Sequence, residues 1–231
     1  MASELNSFIS RQNKKQLKSI KRARCLISKV DDNTFKELCK SIIGKLIIMK
    51  YLCKFILKVL GWRSVGAKVP EPKCILVGAP HTSGWDFIFS WIFYKSLGGD
   101  ASIVIKKEFF FWPVGWILKK MGGIPTDRSK ATNVVRFIIN QFNERDYMHL
   151  AITPEGTRKR TNNWKAGFHT IARTADIPVY LVSFDWGRKT LTIWGKFELT
   201  DDAKEDIRRM KDFYREKGVQ GKHPEKFSTE Y

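Results

Sequence analysis

The chain has 231 residues, 43% of them apolar with 16 Phe and 8 Trp, enough for one sizeable core and too few for two ordinary domains. Its 42 Lys and Arg against 23 Asp and Glu give a net charge of +19, which points to an anionic partner: nucleic acid, an anionic membrane surface, or an acidic protein or substrate. The four cysteines (Cys25, Cys39, Cys53, Cys74) form no C-x-x-C and read as free thiols in a reducing compartment, and the first 30 residues lack the apolar core and cleavage site of a secretory signal.

Residues 1–35 are polar and basic, and residues 1–60 hold 14 Lys/Arg but only 4 Asp/Glu. The next stretch, FKELCKSIIGKLIIMKYLCKFILKVLG (35–61), is rich in Ile and Leu but broken by Lys45, Lys50, Lys54 and Lys58. A spanning helix needs about 20 mostly apolar residues, so this one is not expected to span. Lys50, Lys54 and Lys58 share one stripe beside a broad apolar flank, the pattern of a helix lying in a membrane interface with lysines at lipid headgroups. An amphipathic helix packed on a core, lysines in water, gives the same pattern.

From residue 70 the chain alternates short β-branched runs with helical stretches. KCILVGA (73–79), ASIVIKK (101–107), HLAITPEG (149–156), IPVYLVSFDW (177–186) and LTIWGKFEL (191–199) read as strands. FIFSWIFYKSL (87–97), 129–145 and 165–175 read as helices, and DDAKEDIRRMKDFYREK begins acidic, ends basic and stops at Gly218. This alternation predicts an α/β sheet. FFFWPVGWILKK (109–120) has ten uncharged residues before its two lysines and is either a buried core segment or a surface facing membrane or an acyl chain.

The chemistry-bearing residues begin at VGAPHTSGWDF (77–87), where a strand-like run ends at Pro80 and is followed by His81 and, five positions on, Asp86. Residues five apart on one helix face different ways, by about 140°. For Asp86 to reach the imidazole the backbone must turn, and Thr82, Ser83 and Gly84 are turn and capping residues. A histidine at the start of a helix is held neutral partly by the positive helix end, and a carboxylate partner fixes its tautomer, as a general base requires. No G-x-S-x-G elbow supplies a nucleophile, so attack by a hydroxyl of the substrate is favoured. Downstream, GGIPTDR (122–128) and TPEGTRKR (153–160) place Arg128 and Arg158, with Lys106 and Lys107, as cations for an anionic ligand, and a phosphate suits the arginine fork.

APHTSGWD, GGIPTDR, PEGTR and IPV (177–179), in this order and spacing, resemble the four blocks of the glycerolipid acyltransferase family, of the 1-acylglycerol-3-phosphate acyltransferase type. The resemblance covers about residues 62–200. It implies His81 as the base that deprotonates an acceptor hydroxyl, Asp86 as its orienter, Arg128 on the acceptor phosphate, and Glu155, Gly156, Thr157 and Arg158 around the acceptor. It also implies an α/β domain (62–231) with a mixed, mostly parallel sheet flanked by helices. The basic segment 1–61 would then carry the amphipathic helix that binds the membrane, peripherally or monotopically at its cytoplasmic face. The co-substrate would be an acyl thioester on coenzyme A or an acyl carrier protein, with no other cofactor and no metal. The acceptor would be lysophosphatidic acid or a related lyso-lipid, made into phosphatidic acid. Pro80 before the motif histidine, Pro125 in the second block and the missing second proline in the fourth depart from the family pattern and leave the acceptor open. Another lysophospholipid or an amino-acid lipid is the alternative, as is a lipid-binding relative without activity. Nucleic acid is disfavoured, because no HTH, zinc-finger or RNP signature accompanies the charge.

Overall fold

The computed structural model describes residues 32–127 and 131–231; the basic run before residue 32 and Arg128 lie outside the described residues. The chain divides into two units, Met1–Ile48 and Met49–Tyr231, and the α/β architecture belongs to the second. That unit begins ahead of the expected position 62 because the end of helix α1 (Asp32–Val59) is part of it, with Cys53 and Leu57 buried. No helix among the described residues is long and apolar enough to cross a membrane.

Seven strands form one sheet in the order β1-β7-β6-β2-β5-β3-β4. They are β1 (Arg63–Val65), β2 (Lys73–Ala79), β3 (Ser102–Lys106), β4 (Gly123–Thr126), β5 (Met148–Ile152), β6 (Val179–Asp185) and β7 (Thr190–Phe197). Strands β6, β2, β5, β3 and β4 run parallel; β7 is antiparallel to β6, and β1 parallel to β7. The central strand β2 is buried from Cys74 to Ala79, which is why it reads as a continuous apolar run and not as an alternation. Its two faces feed two cores. Ile75, Val77 and Ala79 pack with α4 (Ala131–Glu144), α5 (Gly167–Ala175) and α6 (Ala203–Lys217) through Phe142, Phe168, Met210 and Tyr214. Cys74 and Leu76 face Leu57 and the α2 (Trp85–Ser96) residues Phe93 and Tyr94. Each fully buried side chain of this size contributes roughly 1.5–3 kcal/mol.

Short β1 and β4 and the seven-residue α3 (Val114–Lys120) were not expected. The segment before and within α3 also decides between the two readings of FFFWPVGWILKK. It is not buried core: Trp112 is 87% exposed, and Phe109, Phe111, Trp116 and Ile117 are exposed as well. The physical cause is Gly115, the one buried residue of α3. A Cβ there would lie 2.6 Å from the Phe110 carbonyl carbon, so the position facing inward admits no side chain and the bulky ones point out.

Parallel strands put their C-terminal ends on one edge of the sheet, where open α/β sheets bind ligands. The loops leaving that edge carry His81 after β2, Lys107 after β3, Asp127 after β4, Glu155 to Arg158 after β5, and Trp186 after β6.

Candidate active site

The turn between β2 and α2 folds onto a single carboxylate. Asp86, 1% exposed in the first turn of α2, has four donors around it. The Thr82 and Ser83 amides donate to Oδ2 at 2.9 and 2.8 Å, the Trp186 indole donates to Oδ1 at 2.7 Å, and His81 Nδ1 lies 3.1 Å from Oδ2. A carboxylate accepts only, so Nδ1 carries the hydrogen and Nε2 the lone pair. Among the described residues Nε2 has no hydrogen-bond partner, and the side chain is 21% exposed.

A second carboxylate holds the histidine from behind. Both oxygens of Glu155 accept the His81 amide, at 3.1 and 2.8 Å. Glu155 was expected beside an acceptor; the structure instead turns it inward, 4% exposed. The register of β2 against β5, with Val77 opposite Ile152, brings the two following loops together across 74 residues. Burial pushes the Glu155 carboxyl up to about 8, with the Asp86 charge adding to the rise and the His81 amide opposing it. Raised above its unfolded value of 4.5, this group favours the folded state at low pH. Its contribution is lost as pH climbs from about 4.5 towards about 8, at most about 1.4 kcal/mol per pH unit. Urea unfolding at pH 5, 6, 7 and 8 is therefore expected to show wild-type stability falling more steeply than that of Glu155→Gln. Parallel curves would contradict this assignment.

The remaining predicted residues are spread around the turn. Gly156 has φ +66°, a left-handed conformation that suits glycine, and lets the chain reverse after Glu155. Thr157 Oγ1 accepts the Lys159 amide at 3.1 Å, shaping the same loop. Arg158 is exposed, and its guanidinium lies over the start of α2, 3.1 Å from where a Cβ on Gly84 would sit. Lys107 pairs with Asp127 at 2.6 Å on the surface, and Lys106 is exposed at the end of β3. Arg128 is outside the described residues.

Sequence reading missed Trp186 and the segment after α6. Trp186 donates to Asp86 and packs in a ring cluster with Trp62 (4.9 Å between centroids) and Phe89 (5.1 Å). The only hint was the FDW that ends the β6 run. Residues 219–223 return to the motif turn: the Trp186 amide donates to the Gln220 carbonyl at 2.8 Å, and the His223 amide donates to Thr82 Oγ1 at 3.2 Å. Among the described residues no three His, Cys, Asp or Glu side chains are grouped to hold a metal ion.

The sequence model of the acyltransferase family matches residues 64–185, which span the motif turn, the three downstream blocks and Trp186's neighbour Asp185. The crystal structure of the 1-acyl-sn-glycerophosphate (LPA) acyltransferase PlsC from Thermotoga maritima is similar in fold. The two superpose with a TM-score of 0.50 at 19% identity, over 75% of this chain and 78% of that one. No curated protein matches the chain.

Proposed function

The chain belongs to the acyltransferase family, and we propose that it moves an acyl group from a thioester donor to the free hydroxyl of lysophosphatidic acid, giving phosphatidic acid. The observation that carries this reading is the His81–Asp86 pair. The hydrogen on Nδ1 is held by a buried carboxylate, and among the described residues Nε2 is left unpartnered with its lone pair. In this mechanism Nε2 takes the proton of the acceptor hydroxyl as its oxygen attacks the thioester carbonyl. Asp86 stabilises the imidazolium that forms. When the tetrahedral intermediate collapses, the C–S bond breaks and His81 returns the proton to the departing thiolate. The Glu155 carboxyl, pushed above the usual carboxylate range by burial, holds the His81 backbone from behind.

Arg158, Lys106, Lys107 and Arg128 are the cations offered to the acceptor phosphate and to a donor on coenzyme A or an acyl carrier protein. The anionic acceptor is supported by the charge of +19, and its lipid nature by the family and by the exposed apolar surface. Another lyso-lipid remains the second reading, because the departures at Pro80 and Pro125 fall in two of the motif blocks. The test is an acceptor panel with purified full-length chain in detergent and an acyl-CoA donor. Lysophosphatidic acid is expected to give the highest kcat/KM, at least tenfold above lysophosphatidylcholine and monoacylglycerol. A higher value for another lysophospholipid keeps the chemistry and moves the substrate; no transfer to any acceptor ends the reading.

Peripheral attachment to the cytoplasmic face of a membrane is part of the proposal. Two exposed apolar surfaces support it. One is the α3 region with Phe111, Trp112 and Trp116, edged by Lys119 and Lys120; the Lys120 ammonium sits 3.8 Å from the Trp116 ring. The other is the outer side of α1 from Met49 onward, with Tyr51, Leu52, Phe55 and Val59 exposed beside Lys54 and Lys58. Aromatic rings next to lysines suit the boundary between acyl chains and anionic headgroups. The double variant Phe111→Ser/Trp112→Ser is expected to lower partitioning onto anionic vesicles by at least tenfold, about 1.4 kcal/mol. Its turnover in detergent should stay close to wild type. Unchanged vesicle binding would remove this region from the membrane contact.

A further inference from the structure

Beside the motif turn lies an open depression of about 340 Å³, at the small end for small-molecule sites. Ser83 and Gly84 at the start of α2 line one side, Arg158 and Lys159 a second, and His223 and Lys226 a third. Among the described residues no acidic side chain lines it. Arg160, two residues on from Arg158, is already paired with Glu230. By contrast, no ion pair reaches Arg158, Lys159 or Lys226 among the described residues, while His223 Nδ1 lies 3.8 Å from Glu225 Oε1. A solvated basic face would be expected to scatter its charges among acids. Here two separate chain segments bring Arg158, Lys159 and Lys226 to one hollow at a helix N-terminus.

The segment on the third side is fixed to the site and does not merely pass it. The His223 amide donates to Thr82 Oγ1, the Gln220 carbonyl accepts the Trp186 amide, and Gly221 is buried against Thr82. A Cβ on Gly221 would fall 2.6 Å from Thr82 Oγ1, so only glycine lets the chain approach this closely. A single 3-10 turn, Pro224–Lys226, then sets Lys226 at the depression. His223 and Lys226 both lie beyond the family-matched span of 64–185, so this wall comes from the C-terminal part of this chain.

We propose that His223 and Lys226 complete, with Arg158, a cradle for a phosphate ester next to His81. The inference rests on the acyl-transfer reading for the source of that phosphate but not for its binding. Two sources share the chemistry: the headgroup of a lyso-phospholipid acceptor, and the phosphates of the thioester carrier. Charge-assisted hydrogen bonds from guanidinium, ammonium and imidazole hold such a group.

The test pairs binding with kinetics on the full-length chain. Calorimetric titration with sn-glycerol 3-phosphate needs no turnover; the double variant His223→Gln/Lys226→Gln is expected to raise its Kd roughly tenfold or more. Lys226→Arg alone should stay within about threefold of wild type, since it keeps the charge. Both replaced side chains are part-exposed, so the melting temperature should hold; the single Lys226→Gln, with a smaller rise, serves if the double variant melts early. In initial-rate assays, a rise in acceptor KM with donor KM unchanged assigns the cradle to the headgroup, and the converse assigns it to the carrier. Wild-type affinity in the double variant, or no binding by wild type, overturns the proposal. Binding lost in the double variant while wild type acylates no acceptor would keep the cradle and sink the acyl-acceptor reading instead.

Discussion

His81→Ala is expected to lower kcat by roughly a thousandfold, within the 10²–10⁴ range that a positioned general base supplies. The loss should appear in turnover and not in folding. Among the described residues the imidazole makes one side-chain hydrogen bond, to Asp86, and the backbone amide that Glu155 accepts is retained in alanine. Stability should change by about 1 kcal/mol, the net worth of one ordinary hydrogen bond. Initial rates with a saturating acceptor, alongside urea unfolding, separate the two effects. A variant within tenfold of wild-type kcat would show that the proton leaves by another route.

Asp86 produces a different signature, because it is both the orienter of His81 and the centre of the turn. Asp86→Ala leaves the Thr82 and Ser83 amides and the Trp186 indole without an acceptor inside a nearly closed site. About 3–5 kcal/mol of stability should be lost with it, as for other buried charged partners removed singly. Asp86→Asn is the more informative change. Its amide oxygen can take the position of Oδ2 and keep three donors satisfied, while its NH2 opposes only the Trp186 indole. Stability should fall by about 1–3 kcal/mol. Turnover should still fall about a hundredfold, because no negative charge remains to stabilise the imidazolium. Asparagine with near-normal kcat would reduce Asp86 to a structural cap.

What could be read from the sequence followed the range of the interactions. The His81–Asp86 pair was legible because it is local: five residues, two turn formers and a capping glycine force the chain to fold back on itself. The five longer strands were legible because burial on one or both faces wrote itself into apolar runs; β2 and β6 are buried from end to end or nearly so. β4, four residues with a proline, and β1, three exposed residues, carry no such record. The role of Glu155 depends on β5 lying beside β2, and that of Trp186 on β6 flanking its other side; sequence separations of 74 and 100 residues hid both. The outward turn of Phe111 and Trp112 was undecided by composition, since the deciding residue is Gly115 against the Phe110 backbone. His223 and Lys226 sit in the last dozen residues, which look extended and carry no motif, and only the tether to Thr82 brings them to the site.

If His81 activates a hydroxyl of a phosphate-bearing lipid, the acyl group must leave the thioester only when that hydroxyl is present to take it. Stoichiometry measures this: full-length chain, acyl-CoA and lysophosphatidic acid, with free thiol and phosphatidic acid quantified together by mass spectrometry over one time course. One phosphatidic acid is expected for each thiol released, with negligible thiol when the acceptor is withheld. Thiol released without new ester would make the protein a thioesterase on an acyltransferase fold, and would rule out the acceptor hydroxyl as the attacking nucleophile.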